Sequence, residues 1–161
     1  MRLTHWTDYS LRVLMYCAQC ESQQSVATIQ AIADQHDISK SHLTKIVMTL
    51  AADGYLLTSR GRGGGIRLGR PASQIVLGEV VRKTETDFQM VECFGEGLSN
   101  CALLPACHLK RVLAQALEAF FAKLDGITLA DLMNNTAASR ATLQPLTFTP
   151  RVSKAPAKKR P

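Results

Sequence analysis

The stretch ISKSHLTKIVMTLAADGYLLTSRGRGGGIRLGR, residues 38–70, decides the fold because its apolar spacing changes partway along. In the first half, apolar residues recur at helical spacing, at Leu43, Ile46, Val47 and Leu50. Ser39 is placed to cap this helix, and Asp53-Gly54 is placed to end it, since glycine readily adopts the left-handed conformation found there. The second half contains two short β-prone runs around the glycine-rich turn RGRGGG (60–65), which predicts a hairpin.

A second predicted helix precedes this one, so that the two form a helix-turn-helix. Thr28 is a typical N-cap residue, and the apolar residues that follow it have helical spacing. The polar break HDIS (36–39) is as short as the turn of a helix-turn-helix. Residues 7–20 predict a further helix upstream. Because the hairpin directly follows, we predict a mainly α fold, a winged helix-turn-helix with a small β-hairpin wing.

The second half of the chain is dominated by one long helix, predicted at residues 108–124 and followed by Gly126. A shorter helix is predicted at residues 75–83, and Thr128 can cap a last short helix, LADLM. The apolar face of the long helix is broad enough to pack against a partner as well as against its own chain. Because helix-turn-helix proteins usually read twofold DNA sites, we expect a homodimer with this long dimerisation helix at the interface.

The formal net charge of +6 is uneven along the 161 residues. Residues 137–161 hold six bases and no acid, and residues 40–83 hold eight bases and two acids. Residues 84–136, by contrast, hold three bases and seven acids. A basic N-terminal half indicates contact with a polyanion such as double-stranded DNA, although a chance fluctuation of charge is the simpler alternative.

Composition divides the chain into three regions: a winged helix-turn-helix domain (1–83), a cysteine loop with the dimerisation helix (84–135), and a disordered basic tail (136–161). The apolar runs fall far short of the roughly 20 residues that a membrane-spanning helix needs. The N-terminus also lacks the apolar core of a signal peptide. We therefore expect a cytoplasmic protein with reduced thiols and no membrane partner.

Two sets of residues are candidates for DNA contact. The face of the residue 40–52 helix opposite the apolar stripe carries short hydrogen-bonding groups and one cation, which suit base edges in a major groove: Ser41, His42, Lys45 and Thr49. The wing supplies two arginines on a thin turn, Arg60 and Arg62, which suit phosphates or a minor groove. Gly63 and Gly64 leave the backbone of this turn without side-chain bulk. An ordinary solvated helix face and a structural glycine turn are the alternatives.

Three cysteines, Cys93, Cys101 and Cys107, lie in the loop ECFGEGLSNCALLPACHLK (92–110), with seven and five residues between them. An odd number excludes local disulfides that use every member. Structural zinc sites usually have tighter pairs, so this spacing favours something larger than one ion, such as an iron–sulfur cluster. The loop does not identify the fourth ligand, for which the candidates are His108, Glu92, Glu96, Asp8 and His5.

The remaining cysteines, Cys17 and Cys20, form a C-x-x-C pair, but the βαβ context of a thioredoxin-like redox centre is missing. Two cysteines one turn apart on an amphipathic helix are more often small core residues, which is the interpretation we favour. The sequence shows no Ser-His-Asp set, paired carboxylate site or nucleotide fingerprint, so we predict that the protein is not an enzyme.

Taken together, these motifs resemble the winged-helix iron–sulfur regulators over about residues 1–135. The resemblance is carried by RLTHWTDYSLRVLMY near the N-terminus, the wing RGRGGGIRLGRPAS, the cysteine loop and the segment GITLADLMNN. The form ECF…C…LPACHLK looks like the nitric-oxide-sensing branch of that family.

The resemblance implies a homodimeric transcriptional repressor of palindromic DNA, switched when nitric oxide nitrosylates an iron–sulfur cluster. It implies one cluster per subunit on Cys93, Cys101 and Cys107, with a four-iron (4Fe-4S) cluster completed by Asp8 of the partner subunit. A two-iron (2Fe-2S) cluster is the alternative for this branch. An IscR-like regulator of cluster biogenesis and a thiol or zinc redox regulator are the competing functions.

Overall fold

The computed structural model describes residues 2–61, 63–95, 101 and 106–134, and these contain six α-helices and two β-strands. In chain order they are α1 (His5–Ser22), α2 (Ile29–His36), α3 (Lys40–Ala52), β1 (Leu56–Ser59), β2 (Gly65–Leu68), α4 (Leu77–Thr84), α5 (His108–Asp125) and α6 (Leu129–Met133). Short 3-10 turns lie at Ala72–Gln74 and Glu92–Phe94. This order confirms the winged helix-turn-helix with a long later helix. The predicted tail, 136–161, lies outside the described residues.

The ends of the helices are set by side chains that cap the first backbone N–H groups. The Thr28 hydroxyl accepts a hydrogen bond from the Ala31 N–H at 3.1 Å, and the Ser39 hydroxyl accepts one from His42 at 3.4 Å. Thr128 and Asp131 form a reciprocal capping box at α6. The caps predicted at Thr28, Ser39 and Thr128 are therefore confirmed. The first helix begins earlier than the predicted residue 7, because Thr4 caps it.

The core lies where α3 packs against α1, α2 and the wing. All four residues of the α3 stripe are buried: Leu43, Ile46, Val47 and Leu50. Val13 and Leu14 of α1 are fully buried in the same cluster. Such burial of whole aliphatic side chains is the main favourable contribution to folding. The helix ends at Ala52, and Gly54 follows in the left-handed region with a φ of 76°, as predicted.

The wing is an antiparallel hairpin in which Leu56 pairs with Leu68 and Ser59 pairs with Gly65. The sequence did not predict its third neighbour, the segment before α2. The Ile66 N–H donates to the Ala27 carbonyl at 2.8 Å, so that Ala27 adds a bridge to the free edge of β2. The wing is thereby attached to the body of the domain at its base.

The last helix returns the chain to the core. The Leu129 N–H donates to the Ile75 carbonyl at 2.8 Å, and Leu129 is fully buried. Before α6, the C-terminal end of α5 is held to α4. There Arg82 of α4 donates two hydrogen bonds to Asp125 of α5, at 2.6 and 2.7 Å. The guanidinium of Arg82 also lies over the Phe121 ring, 4.2 Å from its centroid.

The long helix α5 has no buried residue within the described part of this chain. Leu109 and Val112, near its N-terminus, are 60% and 45% exposed. Its apolar face is therefore only partly covered by its own chain. Among the described residues, no helix is both long enough and apolar enough to cross a membrane.

The buried stripe of α3 predicts a clear difference between two neighbouring substitutions. Ile46→Ala should lower the free energy of unfolding by about 2–5 kcal/mol, because it leaves a cavity in a close-packed core. Met48→Ala is the matched control, since Met48 is 67% exposed and should change stability by about 0.5 kcal/mol or less. Urea unfolding followed by circular dichroism measures both values. Equal losses in the two variants would contradict the assignment of the buried face.

Candidate functional site

The outer face of α3 presents an exposed polar surface. Ser41, Lys45 and Thr49 are all exposed, as the sequence predicted, because the buried stripe fixes the rotation of the helix. Met48 lies among them and is 67% exposed. Met48 was not among the predicted contact residues, because an apolar residue on a helix is normally assigned to the core. A flexible thioether there can contact base edges or methyl groups.

His42 occupies a different environment from the other residues of this set. It is half-buried, and its ring packs against two aromatic rings of α1. The ring centroids of His42 and Tyr9 are 5.3 Å apart in an edge-on arrangement, and those of His42 and Trp6 are 5.9 Å apart. Its predicted DNA contact remains a prediction, but its ring does not lie freely on the outer face.

The wing tip is built by glycines. Gly63 has a φ of 79°, which a residue with a side chain rarely adopts. A Cβ added at Gly64 would lie 2.5 Å from the Ser59 carbonyl oxygen, so the turn folds this tightly only with glycine there. Arg60 is exposed beside this turn, while Arg62 lies outside the described residues. The wing thus carries at least one cation on a thin backbone ribbon.

Basic residues near the core are paired, whereas those on the outer face are not paired with described residues. Arg70 binds Glu79 at 3.4 Å, and Lys83 binds Asp53 at 3.3 Å. Within the described ranges, no ion pair forms at Lys45 or Arg60. The outer cations are therefore available to phosphates, since they need not first break an internal pair.

The three loop cysteines border one cavity. Cys93 lies in the 3-10 turn Glu92–Phe94, and Cys107 is the N-cap residue of α5. Together with Cys101 they line a cavity of about 180 Å³. The other residues of its wall are mainly apolar: Val91, Glu92, Leu109, Lys110 and Leu113. The sequence predicted that these thiols belong together, and the fold brings them to a single concave site.

The donor set fits a thiolate-bound group larger than one ion. Three thiols with apolar neighbours are the surroundings that iron–sulfur clusters use. In the described part of the chain, no group of three or more histidine, cysteine, aspartate or glutamate side chains converges as a single metal ion requires. The three cysteines border one cavity but lie farther apart than the ligands of a single ion. That arrangement is compatible with a larger group.

The candidates for a fourth ligand are distributed around the molecule. Asp8 is partly exposed and accepts two hydrogen bonds from Arg12, at 3.0 and 2.9 Å. These bonds raise the pKa of Arg12 above its ordinary value. His5 packs on Tyr9, and His108 contacts Arg111 at 2.7 Å.

Of these candidates, only Glu92 borders the cavity among the residues that the structure describes. Glu96 lies outside the described residues. Asp8 does not border the cavity of its own chain, so it could serve only the cavity of a second copy unless the chain rearranges.

Cys17 and Cys20 belong to the core rather than to a redox site. Cys17 is fully buried and Cys20 is 8% exposed, and both side chains belong to the hydrophobic core. Burial raises the pKa of Cys17 to about 12, so its thiol stays protonated at physiological pH. This environment agrees with the interpretation of the pair as small core residues.

The chain matches the family model of Rrf2, described as an iron-dependent transcriptional regulator, over residues 3–135. The HTH-type transcriptional regulator NsrR of Bacillus subtilis is 51% identical over 135 residues, which cover 84% of this chain and 92% of that protein. NsrR of Geobacillus kaustophilus is 44% identical, with 89% of this chain and 97% of that protein covered.

Solved structures have the same fold at lower identity. T. potens IscR superposes with a TM-score of 0.67 at 22% identity, covering 89% of this chain and 93% of that one. CymR, the global cysteine regulator of B. subtilis, gives a TM-score of 0.69 at 23% identity, covering 84% of this chain and 98% of that one. These two neighbours support the winged-helix architecture.

The two classes of cysteine should differ in reactivity. In native protein without a bound metal group, a maleimide at about pH 8 should modify Cys93, Cys101 and Cys107, while buried Cys17 and Cys20 react only after unfolding. Intact-mass spectrometry with peptide mapping identifies the modified residues, and denatured protein is the control. Rapid native labelling of Cys17 would contradict its place in the core.

Proposed function

The chain belongs to the Rrf2 family of transcriptional regulators, and from this we propose that it is a nitric-oxide-sensitive repressor that binds palindromic DNA as a homodimer. It is a regulator and not an enzyme, as the names of its relatives indicate. The proposal includes an iron–sulfur cluster and action in the cytoplasm. The observation that carries it is the single cavity bordered by Cys93, Cys101 and Cys107.

DNA binding uses α3 and the wing together. Ser41, Lys45 and Thr49 face outward and enter the major groove, where hydroxyl and ammonium groups reach base edges. Arg60 and Arg62 meet phosphates or the adjacent minor groove, and the backbone at Gly63 and Gly64 lets the wing approach closely. Two copies of this surface on a dimer match the two halves of a palindrome.

The thiolates of Cys93, Cys101 and Cys107 would hold the cluster. Three thiolates leave one position of a 4Fe-4S cluster for another ligand, so a 4Fe-4S cluster is favoured and a 2Fe-2S cluster is the alternative. When bound, the cluster supplies iron that reacts with nitric oxide. The apolar side chains of Val91, Leu109 and Leu113 limit the access of water to the site.

Asp8 of the partner subunit is the proposed fourth ligand. A carboxylate oxygen is a harder ligand than a thiolate and a poorer match for the soft cluster environment, so its bond would be the weakest of the set. The Asp8–Arg12 ion pair is partly exposed, and pairs of this kind contribute about 1 kcal/mol or less. The carboxylate can therefore move between Arg12 and a ligand position at little cost.

The exposed face of α5 supports the dimer and its relation to the cysteine site. Leu109, which is 60% exposed, and half-buried Leu113 both line the cysteine cavity. A second copy packed on this face would cover apolar surface and close the cavity in one step. Dimer contact and occupation of the thiol site are thus expected to depend on each other.

The decisive experiment measures DNA affinity in the absence of air. The DNA probe is an inverted-repeat duplex selected from a random library with the cluster-loaded protein. Exposure to nitric oxide should lower affinity for this duplex at least about tenfold, a typical size for coupling between two sites. Cys93→Ser should retain neither iron nor high affinity, whereas the matched control Cys17→Ala should retain both.

Iron and sulfide analysis of the same anaerobic protein separates the two cluster types. Protein that folds without retaining iron, or whose affinity ignores nitric oxide, would contradict the proposal. A colourless, zinc-loaded protein would instead favour a thiol or zinc regulator.

A substitution on the exposed face of α5 tests the proposed dimer interface separately. Leu109→Lys should shift the protein towards monomer, because a charge on the exposed apolar face of α5 opposes burial there. Folding of the single chain should be unaffected, since Leu109 is exposed within it. Sedimentation velocity measures the change, and Gln115→Lys, on an exposed position of the same helix, is the matched control. An unchanged dimer in Leu109→Lys would place the interface elsewhere.

A further inference from the structure

We propose that His42 is a positioning residue that couples the Asp8-bearing turn of α1 to the DNA-recognition helix α3. The inference rests on the proposed function, because it explains how a change at Asp8 reaches DNA. It also changes the interpretation of a residue that the sequence placed on the DNA-contacting face. The role follows from what the ring of His42 touches.

A continuous series of side-chain contacts joins Asp8 to α3. The Asp8 carboxylate is held by Arg12 through two hydrogen bonds of 3.0 and 2.9 Å. The Arg12 guanidinium lies over the Tyr9 ring, 5.9 Å from its centroid. Tyr9 meets the His42 ring edge-on at 5.3 Å between centroids, with an interplanar angle of 75°. Every step is a contact between named groups, so the series offers a continuous physical route by which a displacement at Asp8 can reach α3.

Trp6, one helical turn before Tyr9 on α1, makes a second contact with the same ring. Its ring centroid lies 5.9 Å from that of His42, at an interplanar angle of 42°. Both Trp6 and Tyr9 are partly buried against the main core, so the imidazole packs against fixed surfaces. Tilted and edge-on pairs at these separations are favourable aromatic geometries. His42 therefore has two aromatic contacts on α1, one on either side of Asp8 in the chain.

His42 lies where a movement of its ring would displace the N-terminal end of α3. It lies in the first turn of the helix, directly after Ser41 and three residues before Lys45. Its own N–H donates to the capping hydroxyl of Ser39. A displacement of the α1 rings therefore acts at the end of the recognition helix that enters the groove first.

The start of α1 has a second attachment, on the side of the cysteine loop. The Glu85 carboxylate accepts hydrogen bonds from the Thr4 N–H at 2.5 Å and from the Thr4 hydroxyl at 3.2 Å. Glu85 follows α4 directly and leads towards the cysteine loop. The first turn of α1 is thus held between the segment that leads to the thiols and the helix that reads DNA.

Two substitutions separate packing from base contact at position 42. His42→Phe keeps an aromatic ring and removes the ring nitrogens, whereas His42→Ala removes the ring entirely. Lys45→Ala is the matched control, because Lys45 is exposed on the same helix and is proposed to contact DNA. Thermal unfolding of the three variants identifies any loss of folding before affinities are compared.

The first measurement uses Trp6, which is the only tryptophan of the chain. Its fluorescence is recorded in cluster-free protein without DNA. His42→Ala should change the intensity and wavelength of emission, because it removes a ring from contact with the indole, while Lys45→Ala should leave them unchanged. Unchanged emission in His42→Ala would show that the rings do not pack together in solution and would overturn the proposal.

The second measurement compares the affinities of cluster-loaded and cluster-free protein for the selected duplex at one salt concentration. His42→Ala should reduce the ratio of these affinities about tenfold, His42→Phe should keep it, and Lys45→Ala should weaken both forms equally. Asp8→Ala combined with His42→Ala should lose no more of the ratio than either variant alone. An unchanged ratio in His42→Ala, or equal losses in His42→Phe and His42→Ala, would overturn the proposal. A wild-type ratio near one would instead refute the proposed function itself.

Discussion

The packing of one face of α3 against α1 is the constraint on which the rest of the structure depends. Leu43, Ile46 and Leu50 are almost completely buried, so α3 cannot rotate without exposing them. That constraint fixes which polar side chains face outward, and it holds the helix beside the wing. It also places α3 next to the helix that carries Asp8. One packed interface therefore supports both the proposed DNA-contacting surface and its connection to the proposed cluster ligand.

The second half of the molecule differs, because the apolar face of its longest helix, α5, is only partly covered by its own chain. Arg82 and Asp125 fasten the C-terminal end of α5 to α4, while the N-terminal end beside Cys107 has its apolar side chains exposed. A helix with an exposed apolar face is costly in water unless another surface covers it. Because that face adjoins the cysteine cavity, the same contact that would satisfy the helix would also complete the walls of the site.

Local features could be predicted from the sequence, whereas contacts between distant segments could not. The α3 stripe and the caps at Ser39 and Thr128 follow from spacing and residue type within a few positions, and the structure confirms them. His42 is adjacent to the stripe, and its polarity suggested the outer face, but the rings of α1 draw it inward. The hydrogen bonds between Glu85 and Thr4 join residues 81 positions apart, and no local pattern encodes such a pairing.

The rigidity of α1 explains why a small event at Asp8 would be transmitted rather than absorbed. Below its first turn, the helix contributes Val13, Leu14 and Cys17 to a close-packed core, which leaves little room for bending. A force on the first turn would therefore tilt the helix end instead of deforming its middle. The surface that meets this end is the imidazole of His42, at the start of α3. Because the Asp8–Arg12 pair is partly exposed and weak, the force needed to move the carboxylate is small, while the packed rings that receive the motion are stiff. A weak ion pair at one end and a rigid aromatic contact at the other suit a switch that has to respond to a modest change in free energy.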